Sequence, residues 1–155
     1  MLKPAPVTTL IVLLVGVPAV AQDLIRGQQL VRDKCDTCHT QRDEKGTVLV
    51  GFLAGGKSIP GSGTAVSANL TPDPSGISYY DEKLFLQVLR SGQVGARKLS
   101  PLMNPAVFKS LTDDDLKSVF AYLKNVPPTK HRVDNTEPPT ECRLCRHKHG
   151  GGETN

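Results

Sequence analysis

Apolar positions recur with helical spacing in three stretches of the chain. The clearest is the last. Leu116, Val119, Phe120 and Leu123 fall at i, i+3, i+4 and i+7, one face of a helix. Thr112 stands before them as an N-cap, and Asp113, Asp114 and Asp115 put negative charge at the positive end of the helix dipole. Lys124 suits the final turn, and Pro127-Pro128 stops it. A second helix follows Asp81 as N-cap, carries Leu84, Phe85, Val88 and Leu89, and ends at Gly92. The first runs from about Leu24 into residues 35–39, with Asp23 as N-cap and Leu24, Gly27, Leu30 and Val31 on one face. Between the first two helices, Thr40 to Tyr80 is rich in Gly, Ser and Pro. Only Thr47 to Phe52 is β-like there, and it predicts a short hairpin. A loop of this length in a small domain is functional or wraps something. The pattern therefore predicts an all-α domain: three main helices and one long wrapping loop.

Residues 35–39 read Cys-Asp-Thr-Cys-His, the C-x-x-C-H attachment motif of a c-type haem. Two thiols on one helical turn can each form a thioether to a haem vinyl group. The next residue, His39, then lies under the iron as an axial ligand. One covalent haem c, tethered by Cys35 and Cys38, is the expected cofactor. A thioredoxin-like dithiol would follow a strand, and the residues before Cys35 are helical in pattern. A structural zinc site would place a second cysteine pair some 15–20 residues on, and Cys142 and Cys145 are far beyond that. Aromatic residues make up 5% of the chain and tryptophan is absent, so a core built from side chains alone would be thin; a buried haem supplies apolar mass. The formal net charge of +4 is too small to imply nucleic-acid binding.

The N-terminus points to export. Lys3 is a positive leader start, Thr9 to Val17 is mostly apolar, and Ala19-Val20-Ala21 is a small-residue cleavage site. We expect a signal peptide over residues 1–21, a haem domain over 22–128 and a polar tail over 129–155. The apolar run is shorter than the ~20 residues needed to span a bilayer, so no membrane span is expected after cleavage. The expected address is a bacterial periplasm.

The second axial position of the iron decides the chemistry. A thioether there raises the reduction potential and closes the iron to outside ligands. Met103 is the one methionine after Met1, and Pro101 and Pro105 flank it, restricting the backbone of a ligand loop. Met103 is the expected ligand; His131, His147 and His149 are the histidine alternatives.

Taken together, C-x-x-C-H after a first helix, a methionine before a last helix and an aromatic within that helix resemble class I cytochrome c. The resemblance implies that Gly27 of the first helix crosses Phe120 or Tyr122 of the last. The runs Ser67-Ala-Asn-Leu-Thr-Pro-Asp73, Leu89-Arg90-Ser-Gly92, Leu111-Thr-Asp-Asp-Asp-Leu116 and Ala121-Tyr-Leu-Lys124 look more closely like the cytochrome subunits of periplasmic alcohol and gluconate dehydrogenases. The likeness spans about Leu24 to Val133. It implies that Asn69 and Thr71 lie near the haem, at its propionates. Those subunits often carry three haem motifs and this chain has one. Their methionine is usually followed by proline, whereas Asn104 follows Met103 here.

The tail carries Cys142, Cys145, His147 and His149. Arg146 stands where a second haem motif needs histidine. Three readings stay open: a local disulfide, a metal site using both thiolates and histidines, and a free dithiol. Arg143, Arg146, His147 and Lys148 make the tail basic, suited to an acidic redox partner. The chain is expected to be an electron carrier rather than an enzyme, free or as a subunit of a dehydrogenase or oxidase chain. The alternatives are an open-site haem that binds a gas or peroxide, and a non-haem metal or dithiol protein.

Overall fold

The computed structural model describes residues 19–60, 66–94, 97–133, 140–141 and 148–149. Helix α1 spans Ala19–Val31 and passes directly into a π-helical turn, Arg32–Asp36, and the short α2, Thr37–His39. The helix starts earlier than Leu24, so Asp23 lies inside it and is not its cap. Alanine is the strongest helix former, and Ala19 and Ala21 extend the helix past the acid. The expected cleavage point before Gln22 falls near this end of α1; most of residues 1–21 lie outside those described.

Helix α3 spans Glu82–Ser91, and the Asp81 side chain accepts from the Leu84 N–H as its N-cap. Gly92 closes it in the left-handed conformation (φ 69°). Two short antiparallel strands, β1 (Gln93–Val94) and β2 (Arg97–Lys98), follow, then a 3₁₀ turn at Pro105–Phe108. Helix α4 spans Asp113–Asn125 and opens with a full capping box: the Thr112 hydroxyl accepts from the Asp115 N–H, and the Asp115 carboxylate accepts from the Thr112 N–H. Strands β3 (Thr140–Glu141) and β4 (Lys148–His149) pair in the tail. Helical segments dominate the described residues, as the apolar periodicity predicts.

The hairpin expected over Thr47 to Phe52 does not form. That region contributes one isolated bridge, Arg42 to Val48, in a turn built on Asp43, whose carboxylate accepts from the Lys45 and Thr47 N–H groups. The β-branched run lacks a partner strand, and the side-chain-capped turn takes up the backbone donors instead.

The frame of the fold is the crossing of α1 over α4. A Cβ on Gly27 would strike the Ser118 carbonyl and come within 2.9 Å of the Tyr122 Cβ, so only glycine lets the backbones approach this closely. Tyr122 is therefore the aromatic at the crossing, and its hydroxyl sits 3.4 Å from the Gln28 amide. Phe120 turns the other way and packs on Phe85 of α3, with ring centroids 5.2 Å apart. Val31, Leu116 and Leu123 are buried at the crossing's core.

Candidate haem site

An apolar cavity lies between these helices. Cys35 and His39 line it together with Leu99 and Met103 of the later loop, and Phe85 and Leu116 represent the faces given by α3 and α4. Lys34 stands among the lining residues as the charged one.

His39 is held from several directions. Its ring is buried, and Nδ1 lies 2.8 Å from the Ala68 carbonyl. A carbonyl oxygen only accepts, so Nδ1 carries the proton and Nε2 keeps its lone pair. Burial pushes the His39 pKa below the ordinary histidine value, opposed by the bond to Ala68. The ring is thus neutral near pH 7, the form that ligates a metal. Its own carbonyl accepts from the Gly55 N–H at 2.8 Å. Gly55 sits so close to residues 67–68 that a Cβ would meet the Ala68 carbonyl at 2.5 Å. Just before it, Leu53 is fully buried with φ 61°, a strained conformation for leucine, held by bonds from its N–H to Thr40 and from the Leu70 N–H to its carbonyl.

Cys35 is buried and its thiol is pushed up to about 12, first by burial and then by the nearby Cys38 and Asp36. A thiol so protonated is a poor redox nucleophile and a poor zinc ligand. Cys38 is half-buried and does not line the cavity. Among the described residues, no three His, Cys, Asp or Glu side chains converge as a metal site. The π turn Arg32–Asp36 runs into the first two residues of the motif; such turns cluster at functional sites, and no sequence signal announces it.

Asn69 and Thr71 do not line the cavity. They stand one layer behind it, on either side of the lining residue Leu70, fully buried and fully engaged. Asn69 Oδ1 accepts from the Thr71 N–H (2.9 Å) and hydroxyl (2.8 Å). Asn69 Nδ2 donates to the Thr129 carbonyl at 2.9 Å and reaches that of His131 at 3.3 Å. The chain after α4 thus crosses back as a strap over the wrapping loop. The Thr129 N–H donates to the Thr71 hydroxyl, the His131 N–H to the Ser75 hydroxyl, and the His131 ring bonds the Ala54 carbonyl at 2.8 Å. With their polar atoms spent on the strap, Asn69 and Thr71 brace the loop that carries Ala68. The residues of this strap have no local signature; their partners lie some 60 positions away.

His131 is therefore a strap residue. Cys142, Cys145 and His147 lie outside the described residues, as does the side chain of His149. Among the described residues, no helix is long and apolar enough to cross a membrane.

The cavity fits a haem by its own chemistry: an apolar slot whose lining includes a thiol, a neutral imidazole and a thioether. Comparison with known proteins agrees. The cytochrome c family model matches residues 24–127. The chain is 36% identical over 122 residues to the fructose dehydrogenase cytochrome subunit of Gluconobacter japonicus, covering 75% of this chain and 23% of that protein. It is 29% identical over 170 residues to the alcohol dehydrogenase (quinone) cytochrome c subunit of Gluconacetobacter polyoxogenes, covering 87% and 36%. It is 33% identical over 102 residues to the alcohol dehydrogenase (quinone) cytochrome c subunit of Gluconobacter oxydans, covering 63% and 20%. The chain thus spans well under half the length of each of these relatives.

Proposed function

Because this chain belongs to the cytochrome c family, we propose that it is a periplasmic one-electron carrier holding one haem c and exchanging electrons with a dehydrogenase. When bound, the haem supplies a one-electron couple at its iron. Cys35 and Cys38 would tether the ring by thioethers, and His39 Nε2 and Met103 would hold the iron. The observation that carries this reading is an apolar cavity lined by Cys35, Met103 and a buried, neutral His39 whose Nδ1 is spent on Ala68. The chain's own work is to keep its ligands in place and water out. Apolar walls from α1, α3 and α4 exclude solvent, and the bonds around His39 leave it little freedom to turn. The names of the relatives support a dehydrogenase as partner. Residues 1–21 act as the export signal, residues 22–128 form the haem domain and residues 129–155 the tail, whose first residues, Thr129 to His131, strap onto that domain.

The test is the exported protein from cells able to attach haem. We expect a mass gain of one haem, a c-type spectrum and, in the oxidised state, a long-wavelength sulfur-to-iron band that Met103→Ala abolishes. A colourless product overturns the haem reading. A band that survives Met103→Ala overturns the ligand assignment, and rapid, tight carbon monoxide binding to the reduced wild type would favour an open site instead.

A further inference from the structure

The segment carrying Met103 is held by the last turn of α3. Arg90 Nη1 donates to the Phe108 carbonyl at 2.7 Å, and Nη2 donates to the Leu111 carbonyl at 2.7 Å. Nη2 also meets Asp113 Oδ1 at 2.7 Å. Phe108 and Leu111 line the same cavity as Met103. Two residues after Arg90, the Gly92 carbonyl accepts from the Leu99 N–H at 2.8 Å, fixing the segment's other end. The Pro105 ring packs on Gly92, where a Cβ would come within 2.8 Å. Between these anchors, Met103 N–H donates to the Ser100 carbonyl and Asn104 Oδ1 accepts from the Ala106 N–H. Both are contacts within one turn. They set the turn's shape and not its place against the cavity.

We propose that Arg90 is the positioning residue for Met103: its fork seats the ligand segment against the cavity. The proposal rests on Met103 being the iron ligand. Asp113 is two-thirds exposed, so the ion pair itself contributes little. The two carbonyl bonds carry the effect, because a planar guanidinium spans both carbonyls and the carboxylate at once. Lysine keeps the charge and the stem but is a point donor, so Arg90→Lys removes the fork alone.

The test uses the haem-loaded full chain as wild type, Arg90→Lys, Arg90→Gln, Met103→Ala and Arg26→Ala. Arg26 reaches from α1 to Asp115, two residues past Asp113, and serves as a control for general loosening around the start of α4. Imidazole competes with a loosely seated ligand for oxidised iron. In Arg90→Lys we expect imidazole to bind about tenfold more tightly, about 1.4 kcal/mol. The sulfur-to-iron band weakens, and exchange quickens at the Leu111 amide, which bonds the Phe108 carbonyl. Arg26→Ala matches wild type. Should Arg90→Gln lose the fold, Arg90→Lys carries the test. If both Arg90 variants stay within about twofold of wild type while Met103→Ala binds imidazole far more tightly, the positioning role is refuted and the ligand assignment stands. An equal rise in Arg26→Ala refutes it too, as general loosening. If Met103→Ala changes neither band nor affinity, the ligand assignment falls and takes the proposal with it.

Discussion

The two sides of the cavity are built to different standards. The His39 side is anchored by contacts that are distant in sequence: Ala68 to the ring, Gly55 to the backbone, and behind them the strap from Thr129 to His131. The Met103 side is a half-buried turn between prolines, shaped by local bonds and attached to the body through α3. The first side cannot shift without breaking several buried hydrogen bonds at once. The second can swing out while the helices stay packed. In a protein that keeps both ligands, the difference says where opening begins: local unfolding starts where few buried contacts must break.

The largest effect falls on the strap. Asn69→Ala leaves the Thr129 carbonyl without its closest side-chain donor and strips the Thr71 N–H of its acceptor, inside a region where water cannot replace them. Unsatisfied buried polar groups of this kind cost about 2–3 kcal/mol. For a domain of this size that lowers Tm by about 10 °C. Thermal melting of the haem-loaded chain checks it, beside Arg90→Lys. If Arg90→Lys melts lower than Asn69→Ala, the ranking of the two sides is wrong.

These bracing groups also mark where the sequence stops being legible. The C-x-x-C-H motif of Cys35, Cys38 and His39 is legible because it is set by adjacency, and Met103 stands out as a candidate because no other methionine after Met1 competes with it. Helices α3 and α4 are legible because Asp81, Gly92 and Thr112 are local signals that the backbone obeys. Asp23 fails as a cap because an aspartate within the first turns looks the same as one before them, and nothing in the pattern weighs the alanines upstream. Thr47 to Phe52 fails because β-branched side chains favour a strand only where a neighbouring strand receives it. The family resemblance puts Asn69 and Thr71 beside the haem, and the structure gives them to the strap. Motif position locates the right segment, but the direction of each side chain depends on Thr129 and His131, which only folding brings near.

A middle-sized effect separates the two sides without any mutation. Native-state hydrogen exchange in low urea should release the Met103 amide, bonded to Ser100, before the Gly55 amide, bonded to His39. Local opening of a loop held by few buried bonds lies below global unfolding, here by about 1–2 kcal/mol. Simultaneous release of both amides, with one common dependence on urea, would mean the walls open as a unit.

The smallest effect concerns the footing of the His39 side, where Arg26 of α1 bonds Asp115 of α4 at 2.8 Å. The bond from Arg26, followed by that from the Thr112 N–H, holds the Asp115 carboxyl below its ordinary value. A depressed carboxyl stabilises the fold above its unfolded pKa, near 3.8, and that contribution disappears as pH falls through the lower folded value. Arg26 is half exposed, so solvent screens the ion pair and its contribution to stability is small. Asp115→Asn keeps an oxygen for the Thr112 N–H and removes the charge, so it should cost about 0.5 kcal/mol at pH 7, the usual worth of a carboxylate in a helix's first turn. Urea midpoints of the two proteins should then converge as the wild-type carboxylate takes up its proton below about pH 4. Midpoints that run parallel from pH 7 to pH 3 would show that Asp115 contributes through shape and not through charge. Convergence without any change in imidazole affinity would confine the acid effect to the α1–α4 crossing, leaving the Met103 side to respond on its own.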